Sequence, residues 1–576
     1  MNILKKYKFA AVLAVVAGFG MTSCDDFLNR PTEDGYTTED YYKSDQECYN
    51  GVNHLYGLPW SDLTAAYFSE LENAAGNQYA GGNAFVLLSI QSNNQSLKEM
   101  VGANWRAIAE ANIAYNKIKG ASASEAAKNA TMGEALTWKA FAYFNLVRML
   151  GPIPIIHDTE SDISSGAYND KFRIEEADVY EYVIMTLEKA IELLPESAAE
   201  GRIDRFSAKG LLAKVYLAKS GLGQSGSRNQ ADLDMAASLA KDVMDNSGRE
   251  LMENYEDIFR ASNNFNQESL LAWHWYGSYN PYGCGNQLQA IFAMGGFTNT
   301  LTWGDWTVPS IDLQEAFGVN ILQNPEERRN IDVRRKATMM IAGDKYSYFW
   351  RNVGGFDYLK FLYDKEYNPD AKESLSSGTG ANVVKGLVGN DEDHKAELGY
   401  VGMKQATGLS THLLRLADVY LIYAEAKIGN NGSSTDASVI DAFHAVHHRA
   451  VSADWEKPSS VSWEDVWKER RLELAYEGDR WFDFVRLSYF NPQRAISELK
   501  SQKRSYYNGL DELYKTYWET GKWTVKPESM QYDTNPPVLS VTESVFRFPM
   551  PEDDVIFNPN LLKDPVHVDV RAEYSY

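Results

Sequence analysis

Apolar residues recur at three- and four-residue intervals from residue 104 to residue 220, a pattern that predicts amphipathic helices folded into antiparallel pairs. The first pair joins a helix around Trp105 and Tyr115 to a helix around Tyr143, and Gly151-Pro152 is a strong signal for the end of the second helix. A second pair and a third helix extend the pattern to residue 246. These elements predict a helical scaffold.

The same helical pattern returns at 413–427, 439–449 and 463–476 after a long interruption. Small residues such as Ala140 and Ala424 are interleaved with aromatic residues there, which is typical of closely packed hairpins of the tetratricopeptide kind, with a repeat of about 34 residues. We predict a mainly α fold, a tetratricopeptide-like helical-hairpin superhelix. Its hairpins cover about 104–246 and 411–478, and a C-terminal region follows at 479–576.

The interruption, about 248–408, differs in composition and is predicted to be a large, loop-rich, aromatic-rich inserted region. Four of the 14 tryptophans fall between residues 273 and 306, with Tyr279 and Tyr282 among other tyrosines between them. Aromatic faces on loops suit the apolar face of a sugar ring, whereas the alternative is that these rings fill the core of the insertion. The predicted ligand-binding residues are Trp273, Trp275, Tyr276, Trp303 and Trp306, with a weaker group in an early loop, Trp60, Asn73, Asn77 and Tyr79.

The amino terminus has the features of an export signal. Lys5, Lys6 and Lys8 precede an apolar run at 9–19, and Ser23-Cys24 forms a small-residue cleavage site. The run is too short for a bilayer, whose core needs about 20 apolar residues. We predict a lipoprotein signal peptide at 1–23, lipidation of Cys24 and a lipid-anchor tether at 24–45, leaving 46–576 as the folded domain. An ordinary secretory peptide is the alternative.

Charge and motifs narrow the function classes. The formal net charge of −23 disfavours nucleic acid as a partner, because an acidic body repels phosphate. The Gly221 to Gly226 segment matches a dinucleotide-binding pattern but follows a helix rather than a strand, so we expect no cofactor. His444, His447 and His448 share one helix face, yet no HExxH motif accompanies them, and we assign no metal site and no catalytic residue.

Several sequence blocks occur in a specific order along the mature chain. They are Cys24-Asp25-Asp26-Phe27-Leu28, residues 134–154, Ala208-Lys209-Gly210-Leu211-Leu212, Leu414-Arg415-Leu416-Ala417-Asp418, Glu477-Gly478-Asp479-Arg480-Trp481-Phe482-Asp483 and Phe546-Arg547-Phe548-Pro549. Together they resemble the SusD/RagB family of surface glycan-binding lipoproteins. The resemblance covers nearly the whole mature chain.

The resemblance implies a non-enzymatic protein on the outer leaflet of the outer membrane, which captures oligosaccharides as a lid over a SusC-like TonB-dependent transporter. It also implies that Asp25-Asp26 belongs to a surface-export signal. Ligand-binding positions vary within the family, so none is carried over to this chain. The charged residues of the later blocks, among them Arg415, Glu473 and Asp483, are predicted to form buried ion pairs that stabilise the helices.

Two other function classes stay open at this stage. A related surface lipoprotein could bind peptide or glycopeptide for the same kind of transporter, although aromatic platforms favour sugar. A surface glycosidase is the outsider, since it would require two carboxylates about 5 to 9.5 Å apart in a cleft.

Overall fold

The computed structural model describes residues 41–277, 285–402, 405–451 and 456–576, with residues 62–66 described by their backbone alone. The predicted lipidation site Cys24 lies outside these ranges. The helices before residue 248 are α1 (Asp45–Asn53), α2 (Ser61–Ala75), α3 (Gln95–Lys119), α4 (Glu125–Leu150), α5 (Thr159–Ser164), α6 (Glu176–Leu193), α7 (Arg205–Lys219) and α8 (Gln230–Asn246). No helix within the described ranges has the length and apolar character that crossing a bilayer requires.

The scaffold is built from successive contacts between neighbouring helices. Helix α3 packs on α4, α4 on α6, α6 on α7 and α7 on α8. Helix α4 is buried along most of its length, and its buried polar side chains are paired, Glu134 with Arg202 and Arg148 with Asn145. Ser124 caps its start by accepting a hydrogen bond from the backbone N–H of Ala127. Gly151 ends it with φ of 76°, where a Cβ would lie 2.7 Å from Arg547 Cδ.

The inserted region consists of short elements joined by long loops. Its helices are α9 (Leu288–Phe292), α10 (Ile311–Ala316), α11 (Val333–Thr338), α12 (Tyr358–Tyr363) and α13 (Asp391–Leu398). The strands from the early loop to the end of the insertion are β1 (Gln78–Tyr79), β2 (Ser269–Trp273), β3 (Val308–Pro309), β4 (Met339–Ile341), β5 (Lys345–Tyr346), β6 (Phe356–Asp357), β7 (Ala381–Val383) and β8 (Thr411–Arg415). They form antiparallel pairs, β1 with β3, β2 with β8, β4 with β7 and β5 with β6.

The chain then returns to the scaffold. The remaining elements are α14 (Leu416–Ile428), β9 (Ser433–Ser434), α15 (Ala437–Ala450), β10 (Val461–Ser462), α16 (Trp463–Glu473), α17 (Arg480–Ser488), α18 (Pro492–Ser501), α19 (Leu510–Thr520), α20 (Glu552–Phe557) and α21 (Val570–Glu573). Strands β9 and β10 pair antiparallel. Helix α14 packs against α8, so the scaffold continues across the insertion, while β2 and β8 pair at its base. The mainly helical fold predicted from the sequence is confirmed.

The predicted buried ion pairs are present, and some of them also connect the insertion to the scaffold. Arg415 donates to Glu268, Glu473 and Glu477, and the side chains of Arg415, Glu268 and Glu473 are all fully buried. Arg334 from α11 reaches the same Glu473 at 3.1 Å. Each carboxylate faces one or more guanidinium groups, which offsets the large cost of removing charge from water. This cluster joins β8, α11 and α16 into one rigid base.

Candidate functional site

Three of the predicted ligand-binding tryptophans lie in the hydrophobic core. Trp60 and Trp273 are fully buried and stack on each other with ring centroids 5.4 Å apart, and Trp275, 7% exposed, packs edge-on against Trp273. Strand β2 is buried from Leu270 to Trp273, and the Trp275 indole N–H donates to Thr411 Oγ1 at 2.9 Å. The prediction that Trp60, Trp273 and Trp275 contact ligand is wrong, because no face of these rings is open to one.

The early-loop asparagines are also buried. Asn77 donates to Glu72 at 2.7 Å and accepts from Arg471 Nε at 2.9 Å. Asn73 donates to Glu70 and accepts from Gln78. The prediction of Asn73 and Asn77 as ligand contacts is therefore wrong, since their amide groups are engaged inside the protein and stabilise the turn after α2.

Trp303 and Trp306, in contrast, are exposed at the two ends of one tight turn. The turn is closed by the Trp306 N–H, which donates to the Trp303 carbonyl at 3.1 Å. Trp306 is 77% exposed and Trp303 is 40% exposed. Leaving a large aromatic ring in water forgoes about 1.5–3 kcal/mol of burial free energy, which a ligand can recover. Both rings stay candidates for ligand stacking.

The turn is held rigidly from beneath. The Gly304 N–H donates to the Ala293 carbonyl just after α9, and a Cβ on Gly304 would lie 2.0 Å from the Phe292 carbonyl oxygen. Only glycine allows this approach. The Asp305 carboxylate accepts hydrogen bonds from Lys372 and Ser376, both at 2.8 Å. The two tryptophans are thus positioned before any ligand arrives.

Strand pairing places Tyr79 beside the strand that follows the tryptophan turn, and Tyr506 lies next to Tyr79. In the β1–β3 pair Tyr79 lies opposite Val308, two residues beyond Trp306. The Tyr79 ring is 6.3 Å from the ring of Tyr506, and both rings adjoin Gly378, which follows the Ser376 loop. We call Tyr79, Trp303, Trp306 and Tyr506 the aromatic platform. Tyr506 was not predicted from the sequence; its only signal is the Tyr506-Tyr507 pair, far along the chain from the other three residues.

Polar groups surround the platform. Asp533 accepts from Ser505 Oγ at 2.7 Å, and hydrogen bonds from Ser505 and Asn535 lower its pKa. Partial burial, with contributions from Tyr506 and Asp533, raises the pKa of Tyr79, so its hydroxyl is a neutral donor at ordinary pH. Neutral donors and carboxylate acceptors next to flat rings can bind hydroxyl groups while the rings hold an apolar face.

Tyr276, also predicted, is 61% exposed beyond the end of β2. It lies close enough to Tyr400 to contribute, after burial, to the raised pKa of Tyr400. The neighbouring Tyr279 and Tyr282 lie outside the described residues. Tyr276 is open to ligand and is not counted as part of the platform.

Comparisons with known proteins establish the family. Residues 240–567 match the model described as the SusD family, and residues 46–217 match the model described as starch-binding associating with outer membrane. A SusD-like protein of Bacteroides ovatus is 31% identical over 581 residues, which cover 98% of this chain and 99% of that protein. This chain belongs to the SusD/RagB family. The resemblance seen in its sequence blocks is confirmed.

Solved structures agree with this assignment. A structure with a bound xylogluco-oligosaccharide is 29% identical, with a TM-score of 0.76, and the match covers 90% of this chain and 99% of that one. A laminarin-binding SusD-like protein is 21% identical, with a TM-score of 0.62 over 91% of this chain and 100% of that one. The second likeness supports the SusD-like fold alone, because its identity is low.

Proposed function

We propose that this protein is a cell-surface lipoprotein that binds oligosaccharides or polysaccharides on the aromatic platform and delivers them to a TonB-dependent outer-membrane transporter. The observation that carries the binding proposal is the tight turn that exposes Trp303 and Trp306 and leads into the strand paired with Tyr79. The relative with a bound xylogluco-oligosaccharide supports a glycan as the ligand class.

The surrounding chemistry favours binding rather than catalysis. A glycosidase needs a pair of carboxyl groups set across the scissile bond. Asp305 beneath the platform is 12% exposed and already accepts hydrogen bonds from Lys372 and Ser376, so its role is to hold the turn. We therefore propose a capture protein without catalytic residues of its own.

The outer-membrane location rests on two observations. Residues 46–217 match the family model described as associating with outer membrane. The sequence around Ser23-Cys24 supplies a lipid attachment site, and acyl chains on Cys24 would anchor the protein without a spanning helix. We propose that the lipid holds the protein at the cell surface beside a SusC-like transporter.

The binding proposal is tested by affinity electrophoresis of residues 25–576 through gels that contain plant, host or microbial polysaccharides. Retardation by at least one polysaccharide is expected. Trp306→Ala, Tyr79→Ala and Tyr506→Ala should each weaken binding about 2- to 13-fold, since one aromatic contact contributes about 0.5–1.5 kcal/mol.

The matched control is Trp518→Ala on α19. Trp518 is 37% exposed and stacks on Tyr363, away from the platform residues, so its loss should leave retardation unchanged. Free migration of the unmodified protein through every gel would contradict glycan capture and favour the peptide or glycopeptide alternative. Equal weakening by Trp518→Ala would remove the assignment to the platform.

The transporter proposal has its own test. Membranes of the native host are solubilised in a mild detergent, and the protein is purified through a C-terminal tag. A TonB-dependent barrel that copurifies in a near-equimolar amount is the expected result. If no barrel copurifies, or if raising the salt concentration is enough to remove it, the proposal of a stable complex is contradicted.

A further inference from the structure

A second aromatic-lined site lies on the scaffold. A cavity of about 360 Å³ opens between α3, the segment after α4, the 168–171 segment and α20. Its wall includes Trp105, Tyr168, Met550, Asp554 and Phe557. The volume falls within the range of about 300–1,000 Å³ typical of small-molecule sites. None of these residues belongs to the aromatic platform, and we call this space the Trp105 cavity.

The aromatic walls of the Trp105 cavity are only partly covered by protein. Trp105 and Tyr168 are half-buried, and Phe557 at the end of α20 is 72% exposed. Its neighbour Ile556 is 71% exposed but does not line the cavity. Trp105 packs edge-on against Tyr143 of α4, which fixes the position of its ring in the wall. A flat apolar group could therefore be covered by rings that already stand in place.

A carboxyl group with one unpaired oxygen, that of Asp554, borders this cavity. Asp554 Oδ2 is buried and has no hydrogen-bond partner among the described residues. The nearby lysines form salt bridges with other carboxylates. Lys98 pairs with Glu552 and Asp553, and Lys171 in the cavity wall pairs with Asp162. Burial, followed by the charge of Asp553, raises the pKa of Asp554. Buried carboxylate oxygens normally accept a hydrogen bond, so a ligand that offers a donor to the Asp554 carboxyl group would be favoured here.

The aromatic wall and the Asp554 carboxyl group together define the ligand chemistry. A ligand must offer an apolar face to the rings and a hydrogen-bond donor to the carboxyl group. An anionic ligand is disfavoured, because Asp554 lines the cavity and Glu552 and Asp553 directly precede it in α20. A pyranose ring of a neutral glycan has both an apolar face and hydroxyl donors. We propose that the Trp105 cavity is a second carbohydrate-binding site, which holds one neutral sugar ring against Trp105 and Phe557 with a hydroxyl donating to the Asp554 carboxyl group.

The test uses ligand-observed saturation-transfer NMR on residues 25–576 carrying Trp306→Ala and Tyr506→Ala, so that the platform no longer contributes. The probes are the methyl glycosides of glucose, galactose, mannose and xylose, with methyl glucuronide as the anionic comparison. At least one neutral glycoside should receive saturation, and methyl glucuronide should not. Phe557→Ala and Asp554→Asn should each weaken binding about fivefold, while the matched control Ile556→Ala should not change it.

Each result decides the matter. No saturation of any neutral glycoside, or equal loss in Ile556→Ala, overturns the Trp105 cavity as a sugar site. Stronger saturation of methyl glucuronide than of the neutral glycosides overturns the ligand chemistry. If Asp554→Asn does not fold, as judged by its melting transition, Phe557→Ala decides alone, because that side chain lies mostly in water. The outcome is separate from the platform proposal, which fails only when the unmodified protein binds no polysaccharide in the gels.

Discussion

Glu473 is the residue at which the buried charge cluster should be most sensitive to change. Its carboxylate accepts from Arg415 at 3.0 Å, Arg334 at 3.1 Å and Arg449 at 2.5 Å, and its side chain is fully buried. Burial alone would raise the pKa of Glu473, but Arg449, Arg415 and Arg334 together lower it well below the ordinary range. The carboxylate is therefore ionised at neutral pH and is the shared acceptor of three cations.

Glu473→Gln keeps the shape of the side chain and removes the charge. Breaking a buried ion pair costs about 3–5 kcal/mol. In this cluster the three cations would lose the carboxylate they share, while Arg415 keeps Glu268 and Glu477 and Arg334 keeps Glu469. We expect about 3 kcal/mol, the lower end, since the amide oxygen can still accept one of the three hydrogen bonds. The free energy of unfolding is measured in urea at pH 7 by linear extrapolation.

Glu464→Gln is the matched control. Glu464 also pairs with an arginine, Arg494, but its side chain is 48% exposed, so its loss should cost about 0–1 kcal/mol. A difference between the two variants below about 1 kcal/mol would refute the reasoning. It would mean that the charge of Glu473 contributes little to holding the insertion on the scaffold.

Three further predictions concern other parts of the molecule. Cys24→Ala should move the full-length protein from the detergent-rich to the aqueous phase in a detergent partition assay, and persistence with membranes would contradict lipid anchoring. Burial raises the pKa of Glu72 to about 7. Since this exceeds the ordinary value of 4.5, the folded state loses stability as the pH rises from 4.5 through 7, and Glu72→Gln should remove up to ~3 kcal/mol of that loss between pH 5 and 8 in urea unfolding. Gly304→Ala should displace the tryptophan turn from the Phe292 carbonyl and weaken polysaccharide retardation about tenfold, and normal retardation would show that the turn tolerates the shift.

The helical scaffold could be predicted from the sequence because its signals are local. Apolar spacing marks α3 and α4, and Gly151 marks the end of α4 with the backbone conformation that glycine favours. The buried ion pairs of Arg415 and Glu473 could also be anticipated, since charged residues on helices that must pack have to pair. The first scaffold helix begins at Gln95, earlier than the predicted hairpin, because its first turn is mostly polar and carries a weak periodic signal.

The binding surface depended on information that a linear pattern lacks. Trp273 and Trp306 are the same residue type in the same inserted region, and composition treats them alike. Strand β2 pairs with β8 and turns Trp273 into the core, whereas the Gly304 turn lifts Trp306 into water. The exposure of a side chain depends on which other segments pack against it, and those segments are distant in sequence.

The sequence by itself determined the family, the mainly helical fold and the expected export signal, since these depend on local periodicity and on short blocks in a fixed order. Only the tertiary structure decided which aromatic rings face solvent. The β1–β3 pairing places Tyr79 beside Val308, and the Gly378 segment, whose carbonyl accepts from the Tyr507 N–H, adjoins both Tyr79 and Tyr506. Side-chain burial arises from such long-range contacts, and no window of neighbouring residues contains them.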